Sequence, residues 1–404
     1  MDIIKYKENN FRSKKYGVSS NRYQYFSGKK DNQESEYIKA NKEKNIGSKN
    51  KANDNKFGRL PKLSFFKKFK KYFLFYLLIC ILLNINGILC ESCIIVKINK
   101  SGRHKILYNG GVENIENPCH IVPNHTPTKM IINENEIDTS TREYNFIYPY
   151  NTVKLYYEDS KNDFRCLFYG CSDIDEIDAS NLITSNAVNM VYMFYQCSSL
   201  TSLNINNFNT EKVVCMRAMF GFCSSLISIN ISHFASPFLE DIALMFEGCF
   251  KLTSICLLNF ETKEIVVMDR LFKGCSSLTT LDISNFETSK VKWMSEMFKD
   301  CYLLTTLDLS NFNTSSVEYF DLMFDSCKSL TSLNLSNFNT EKAIIMHGMF
   351  NDCSNLKYLD IHSFDTSSVE NMGWMFCGCL SLESLDITNF KTDNVNNMRI
   401  MFGN

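Results

Sequence analysis

A cysteine returns every 26 residues from Cys171 to Cys379, by way of Cys197, Cys223, Cys249, Cys275, Cys301, Cys327 and Cys353. No other feature of the chain restricts its fold so much. Copies held to one period adopt one local structure and lie against each other, because a unit of this size cannot bury its own apolar face. Counting from each cysteine as position 0, apolar residues recur at positions 3, 6, 8, 11, 16, 19, 22 and 23. One copy reads Leu278, Leu281, Ile283, Phe286, Val291, Met294, Met297 and Phe298. Positions 6 and 8 alternate as in a short strand with one buried face. Positions 16, 19, 22 and 23 have helical spacing, and the hydroxyl at position 13, as in Thr210, Ser236, Thr288 and Thr314, stands where an N-cap belongs. The expectation is an α/β fold, a leucine-rich-repeat-like solenoid with one short strand and one helix per 26-residue repeat and a parallel sheet on one face.

Two smaller regularities support the register. The residue before the cysteine is Gly248, Gly274, Asp300, Ser326, Asp352 or Gly378, which suits a chain that must turn there. Position 10 is mostly asparagine, as in Asn207, Asn285, Asn311, Asn337 and Asn389, with His233 and Ser363 as departures. An amide at that point can bond backbone groups of the neighbouring copy and form a ladder.

The unit, of the general form MFxxCSSLTSLDISNFxTSxVxxM, is readable at residues 271–294 and again at 323–346. It resembles the BspA-type leucine-rich surface proteins with 26-residue repeats, the DUF285 group, over about residues 166–404. That resemblance implies a surface-displayed or secreted protein whose role is adhesion to extracellular or host proteins or glycans. It brings no binding residue that can be placed on this sequence.

Charge divides the chain. Residues 1–71 carry 20 Lys+Arg against 7 Asp+Glu with little apolar periodicity, the composition of a disordered basic tail. Residues 72–404 carry 23 Lys+Arg against 37 Asp+Glu. The tail has no organised fold and no aromatic-interleaved motif, so nucleic acid is not the expected partner. It leads through Lys67, Lys68, Lys70 and Lys71 into an apolar run over 72–89, long enough to span a bilayer. Flanking lysines place the N-terminus in the cytoplasm and the repeats across the membrane, giving a single-pass signal-anchor at the cell surface. A recessed signal peptide, cut near Gly87 or Ser92 to release a secreted protein, stays open beside it. Lipid attachment at Cys90 is disfavoured, because small residues should precede that cysteine.

Residues 90–165 contain short alternating runs such as CIIVKIN, TKMIIN and NTVKLYY, expected to form a β-rich cap over the first repeat. At the other end the sequence stops just before another cysteine falls due. A self-capping last repeat, a partnered end and a truncated product all fit that ending. The repeat cysteines face one interior line, and small buried thiols explain them better than bridges or a metal ladder. Cys93, Cys119 and Cys166 are the candidates for a disulfide that pins the cap.

No cofactor or catalytic constellation is expected. Six histidines are scattered without a HExxH motif, a nucleophile elbow or a glycine-rich phosphate loop. The surface made by stacking is the better prospect for function. Positions 5, 7 and 9 point outward from the sheet, and position 7 forms a column containing Asp282, Asp308, Asp360 and Asp386. A polar face of short side chains suits wide, shallow contacts. Departures from the repeat are the sharper candidates for partner binding: Leu258, Tyr358 and His362 on the sheet face, Trp293 and Trp374 on the helix face. N-x-S/T sites fall at Asn99, Asn124, Asn230, Asn313 and Asn334, and a glycan at Asn230 or Asn334 would obstruct the sheet face. Two rival readings are an intracellular leucine-rich-repeat interaction scaffold and an enzyme-associated subunit.

Overall fold

A computed structural model of the chain describes residues 92–108, 119 and 125–403, all within one compact unit, Cys80–Asn404. The basic tail 1–71, the apolar run 72–89, Cys90 and Asn124 lie outside the described residues. Among the described residues no helix is long and apolar enough to cross a membrane.

The alternating segments before the repeats are strands: β1 (Cys93–Ile98), β2 (Gly102–Lys105), β3 (Lys129–Ile132), β4 (Asn135–Ile137), β5 (Glu143–Phe146) and β6 (Asn151–Tyr156). They continue directly into the repeats. The order β4-β3-β6-β1-β7-β8 joins β1, antiparallel, to β7 (Glu176–Asn181), which pairs in parallel with β8 (Ser202–Asn204). Ile94, Val96, Ile98, Val153 and Leu155 are thereby buried in the same core as the repeat residues. A disulfide joins Cys119 to Cys166, two of the three candidate cysteines. Cys93 begins β1 and is not part of that bridge.

Four later repeats spend three residues each on a strand: β9 (Ser228–Asn230), β10 (Ser254–Cys256), β11 (Ser332–Asn334) and β12 (Tyr358–Asp360). In β9, β11 and β12 the middle residue is buried and its neighbours are exposed, as the alternation at positions 5 to 7 requires. A second parallel ladder of single bridges runs through position 18 of every repeat, from Asp163 to Asn189, Cys215 and Asp241 and on to Asn397. Where strands pair, neighbouring repeats are therefore held at two places, and elsewhere the position 18 ladder continues without a break.

The expected helix is absent: no described residue is helical. Positions 16 to 26 instead form overlapping turns whose alternate N–H groups leave the segment. Met190, Tyr192, Phe194 and Gln196 donate to the carbonyls of Cys215, Arg217, Met219 and Gly221 in the next repeat, at 2.8–3.1 Å. Within the segment, Met193, Tyr195 and Cys197 donate three residues back. Every second N–H is thus engaged elsewhere, and the i to i−4 bonding of a helix has no donors left. Tyr192 and Gln196 take φ of 57° and 60°, and the equivalent residues of later repeats do likewise. Consecutive turns bring about every third residue inward, so positions 16, 19 and 22 look helical without being so. Gly248, at φ 70°, also makes room: a Cβ there would meet the ring of Phe222 at 2.6 Å.

The hydroxyl at position 13 is consequently not an N-cap. Thr314 is buried; it donates to the carbonyl of Asn339 at 2.9 Å and accepts that residue's N–H at 2.8 Å. Thr184, Thr262, Thr288, Thr340 and Thr366 each make the same pair of bonds one repeat on. At Ser236 the hydroxyl is buried without a partner, a break in the ladder. Thr314→Val, which keeps the shape and removes both bonds, is expected to cost about 1–3 kcal/mol in chemical unfolding. A cost near zero would show that the ladder adds nothing.

The repeat cysteines are buried free thiols, apart from the half-buried Cys379. Each from Cys197 to Cys379 donates to the carbonyl of a phenylalanine 29 residues earlier, at 3.1–3.3 Å. Burial pushes the Cys249 and Cys301 thiols up to about 12. Beside them the rings of Phe168, Phe194, Phe220 and their successors to Phe402 stack with centroids 5.5–5.9 Å apart. Alkylation of the native protein near pH 8 is expected to mark the exposed Cys256 and to spare Cys275, Cys301 and Cys327, read by peptide mass mapping. Ready labelling of those three would contradict the packing.

Candidate functional site: a groove where the strand ladder opens

The sheet face carries the position 7 column, and its geometry follows from local bonding. Oδ1 of Asp282 accepts the N–H and the hydroxyl of Ser284 at 3.1 and 2.7 Å. Asp308 accepts the N–H of Ser310 at 2.9 Å, and Asn334 that of Ser336 at 2.9 Å. Asp386 is held in the same way by Thr388. Each side chain closes the bend after its strand, which explains why Asp and Asn recur there. The same bonds keep the carboxylates ionised: Ser284 holds Asp282, Ser310 holds Asp308 and Thr388 holds Asp386 below the usual range. Asp360 lies below that range as well, chiefly through the His362 imidazole 2.7 Å away.

Strand pairing is not continuous along this face. β9 pairs with β10 and β11 with β12, but the two intervening repeats, at Thr280–Asp282 and Thr306–Asp308, join neither ribbon. There the face opens into a shallow groove of about 490 Å³, lined by Thr280, Leu281, Asp282, Thr306, Leu307, Asp308, Ser332 and Asn334 among others. Leu281 and Leu307 are half-buried, like the equivalent Leu203 and Ile255 and unlike the buried Leu333 and Leu359. The groove therefore offers an apolar floor, two carboxylates one repeat apart and a rim of hydroxyls.

The structure gathers the sequence candidates unevenly. Asp282 and Asp308 line the groove together. Tyr358, Asp360 and His362 stand beside it, since β12 pairs Tyr358 with Ser332 and Asp360 with Asn334. Tyr358 is 58% exposed and Leu258, in the bend after β10, 68% exposed. Asp386 continues the column in the last repeat. Trp293 and Trp374 belong to the turn segment rather than to a helix face. Trp293 is half-buried with its Nε1 enclosed and unpartnered, and Trp374 has a φ of 63°. Neither lines the groove. Asn99, Asn230, Asn313 and Asn334 are exposed, and Asn334 is part of the groove wall.

Sequence reasoning missed the groove because position 6 reads as buried in every copy. One signal was present: position 5 is threonine only at Thr280 and Thr306, the two repeats that leave the ladder.

Charge concentrates a second time on the turn segment. Arg217 pairs with Asp241 at 2.7 Å, and Glu296 takes Lys273 at 2.6 Å and Arg270 at 2.8 Å. Lys299 pairs with the buried Asp325. Asp269 accepts the N–H of Ser295 at 2.9 Å, and the Ser295 hydroxyl donates to Asp321 at 2.7 Å. Burial pushes the Asp269 carboxyl up to about 7, against the pull of the Ser295 N–H, and the Asp321 charge adds to the rise. This network runs from repeat to repeat and fixes their register. Among the described residues no group of His, Cys, Asp and Glu side chains could hold a metal ion.

The family model described as "Mycoplasma protein of unknown function, DUF285" matches residues 162–256, 240–358 and 322–404 in overlapping stretches, the whole of the repeat region. The chain belongs to the DUF285 family. No curated protein matches it. Among solved structures, this DUF285 protein is similar to the crystal structure of a TLR13–ssRNA13 complex, with 16% identity and a TM-score of 0.19. That likeness covers 56% of this chain and 42% of the other, so the chain spans about two fifths of that structure's length.

Proposed function

We propose that this DUF285 protein is a recognition scaffold at the cell surface, its repeats wound as a solenoid that presents the strand face to proteins or glycans. The groove over Thr280–Asp282 and Thr306–Asp308 carries the reading, because it is where the repeat departs from itself to leave polar and apolar groups open together. Adhesion of the BspA kind is the role that fits, without catalysis and without a cofactor. In this reading residues 72–89 anchor the chain, with the basic tail in the cytoplasm and the repeats outside. A cleaved, secreted form would present the same face.

The Cys119–Cys166 disulfide supports export, since such bridges persist in oxidising compartments. The free thiols of the repeats are what an intracellular scaffold would also show, and protease shaving separates the two. Brief trypsin treatment of intact cells is expected to remove the repeat region while a cytoplasmic marker survives; repeats that stay protected would defeat the surface assignment. Where the host cell glycosylates, a glycan on Asn334 is expected to abolish groove binding and Asn334→Gln to restore it, read by pull-down against matrix proteins and glycans.

A further inference from the structure

We infer that the occupant of the groove is a basic side chain, Arg or Lys, carried on an extended segment of a partner protein; this rests on the proposed recognition role and names its partner chemistry. Three properties of the groove converge on that ligand. Leu281 and Leu307 form a half-buried floor on which an aliphatic stem can lie while its charged head stays at the rim. At the rim stand Asp282 and Asp308. In each, Oδ1 accepts the N–H of the following serine while the carboxylate stays exposed, so both can accept from a guanidinium or an ammonium. The shape completes the site. Thr280–Asp282 and Thr306–Asp308 lie on adjacent repeats, and the groove across them is shallow and open, so a partner segment can lie along it.

Charge complementarity extends beyond the rim. Residues 72–404 hold 23 Lys+Arg against 37 Asp+Glu, a field that draws basic segments and repels acidic ones. No aromatic ring lines the groove, so the stacking platform that a sugar ring would use is missing from it.

The test uses the full-length chain in mild detergent and three fluorescent peptides of alternating sequence, Arg-Thr, Gln-Thr and Glu-Thr, with binding read by anisotropy. Every variant keeps the same basic tail, so differences between variants report the groove. The Arg-Thr peptide is expected to bind and to weaken as salt rises from about 50 to about 300 mM, with the other two bound at least about tenfold less tightly. The double variant D282N/D308N is expected to weaken Arg-Thr binding by about tenfold or more. D386N, in the same column but outside the groove, should change it by less than about twofold. Thr306→Arg, which brings a cation of its own, should also abolish binding and guards against misfolding of the double variant.

Equal binding of the Gln-Thr peptide, or a D386N effect as large as that of the double variant, would overturn the inference. A neutral oligosaccharide that binds wild type and is lost in D282N/D308N would overturn it too, while leaving the recognition role standing. Failure of peptides, matrix proteins and glycans alike to sense the groove variants would remove both.

Discussion

Phe298→Ala is expected to lower the free energy of unfolding by about 3–5 kcal/mol, the upper range for truncation of a core aromatic. Phe298 is fully buried, with the ring of Phe272 at 5.9 Å on one side and that of Phe324 at 5.7 Å on the other. Both flanking rings belong to repeats tied by the position 18 bridges and by the N–H bonds of the turn segment, so neither moves freely into the space that alanine leaves. The loss therefore combines transfer of the ring with an uncollapsed cavity, and it touches neither the Phe298 carbonyl nor the thiol of Cys327 that donates to it. Phe402 supplies the control, stacking on Phe376 with 58% of its surface exposed. Phe402→Ala should cost less than about 1 kcal/mol in the same denaturant titration. If the two substitutions cost the same, the stack is not what holds the repeats together.

The second large effect depends on pH. The Asp269 carboxyl has its ordinary value of 3.8 in the unfolded chain and about 7 when folded. Between those values the folded protein binds more protons than the unfolded one, so its contribution to stability is complete below about pH 4 and declines as the pH rises toward 7. At about 1.4 kcal/mol per unit, the decline reaches about 4 kcal/mol for this one group. Asp269→Asn keeps the acceptor for the Ser295 N–H and removes the charge that burial and Asp321 oppose. The variant is expected to be more stable than wild type at pH 8 and to differ little at pH 4. Denaturant midpoints at four pH values decide it, since parallel wild-type and variant curves would show that Asp269 is not strained by ionisation.

The register of the fold was readable because several chemically different residues mark it independently. The thiol at position 0, the aromatic at 23 and the hydroxyl at 13 each return on the same period, and each becomes a ladder of its own. Family membership followed from the same unit. The turn segment was misread for a physical reason: Val291, Met294, Met297 and Phe298 point inward in overlapping turns as they would on a helix. Periodicity reports which side chains are buried and not where the N–H groups go. The left-handed residues carried little warning either, since Arg270, Glu296 and Leu322 occupy conformations where glycine or asparagine would be expected. The groove was the least legible feature, because Leu281 and Leu307 repeat the residue found at the buried Leu333 and Leu359, and burial at that position varies even within one paired ribbon, where Ile229 is buried and Ile255 half-buried.

The turn segment also gives the stack of repeats a sense of direction. Four N–H groups per repeat point toward the higher-numbered neighbour and four carbonyls toward the lower-numbered one, against one N–H per repeat, such as that of Val214, that donates the other way. In an ordinary sheet such peptide dipoles largely cancel, whereas aligned dipoles add. On this side of the stack they sum to an electrical gradient, positive toward residues 397–403. Inserting or deleting a repeat would lengthen or shorten that gradient and leave its sign unchanged.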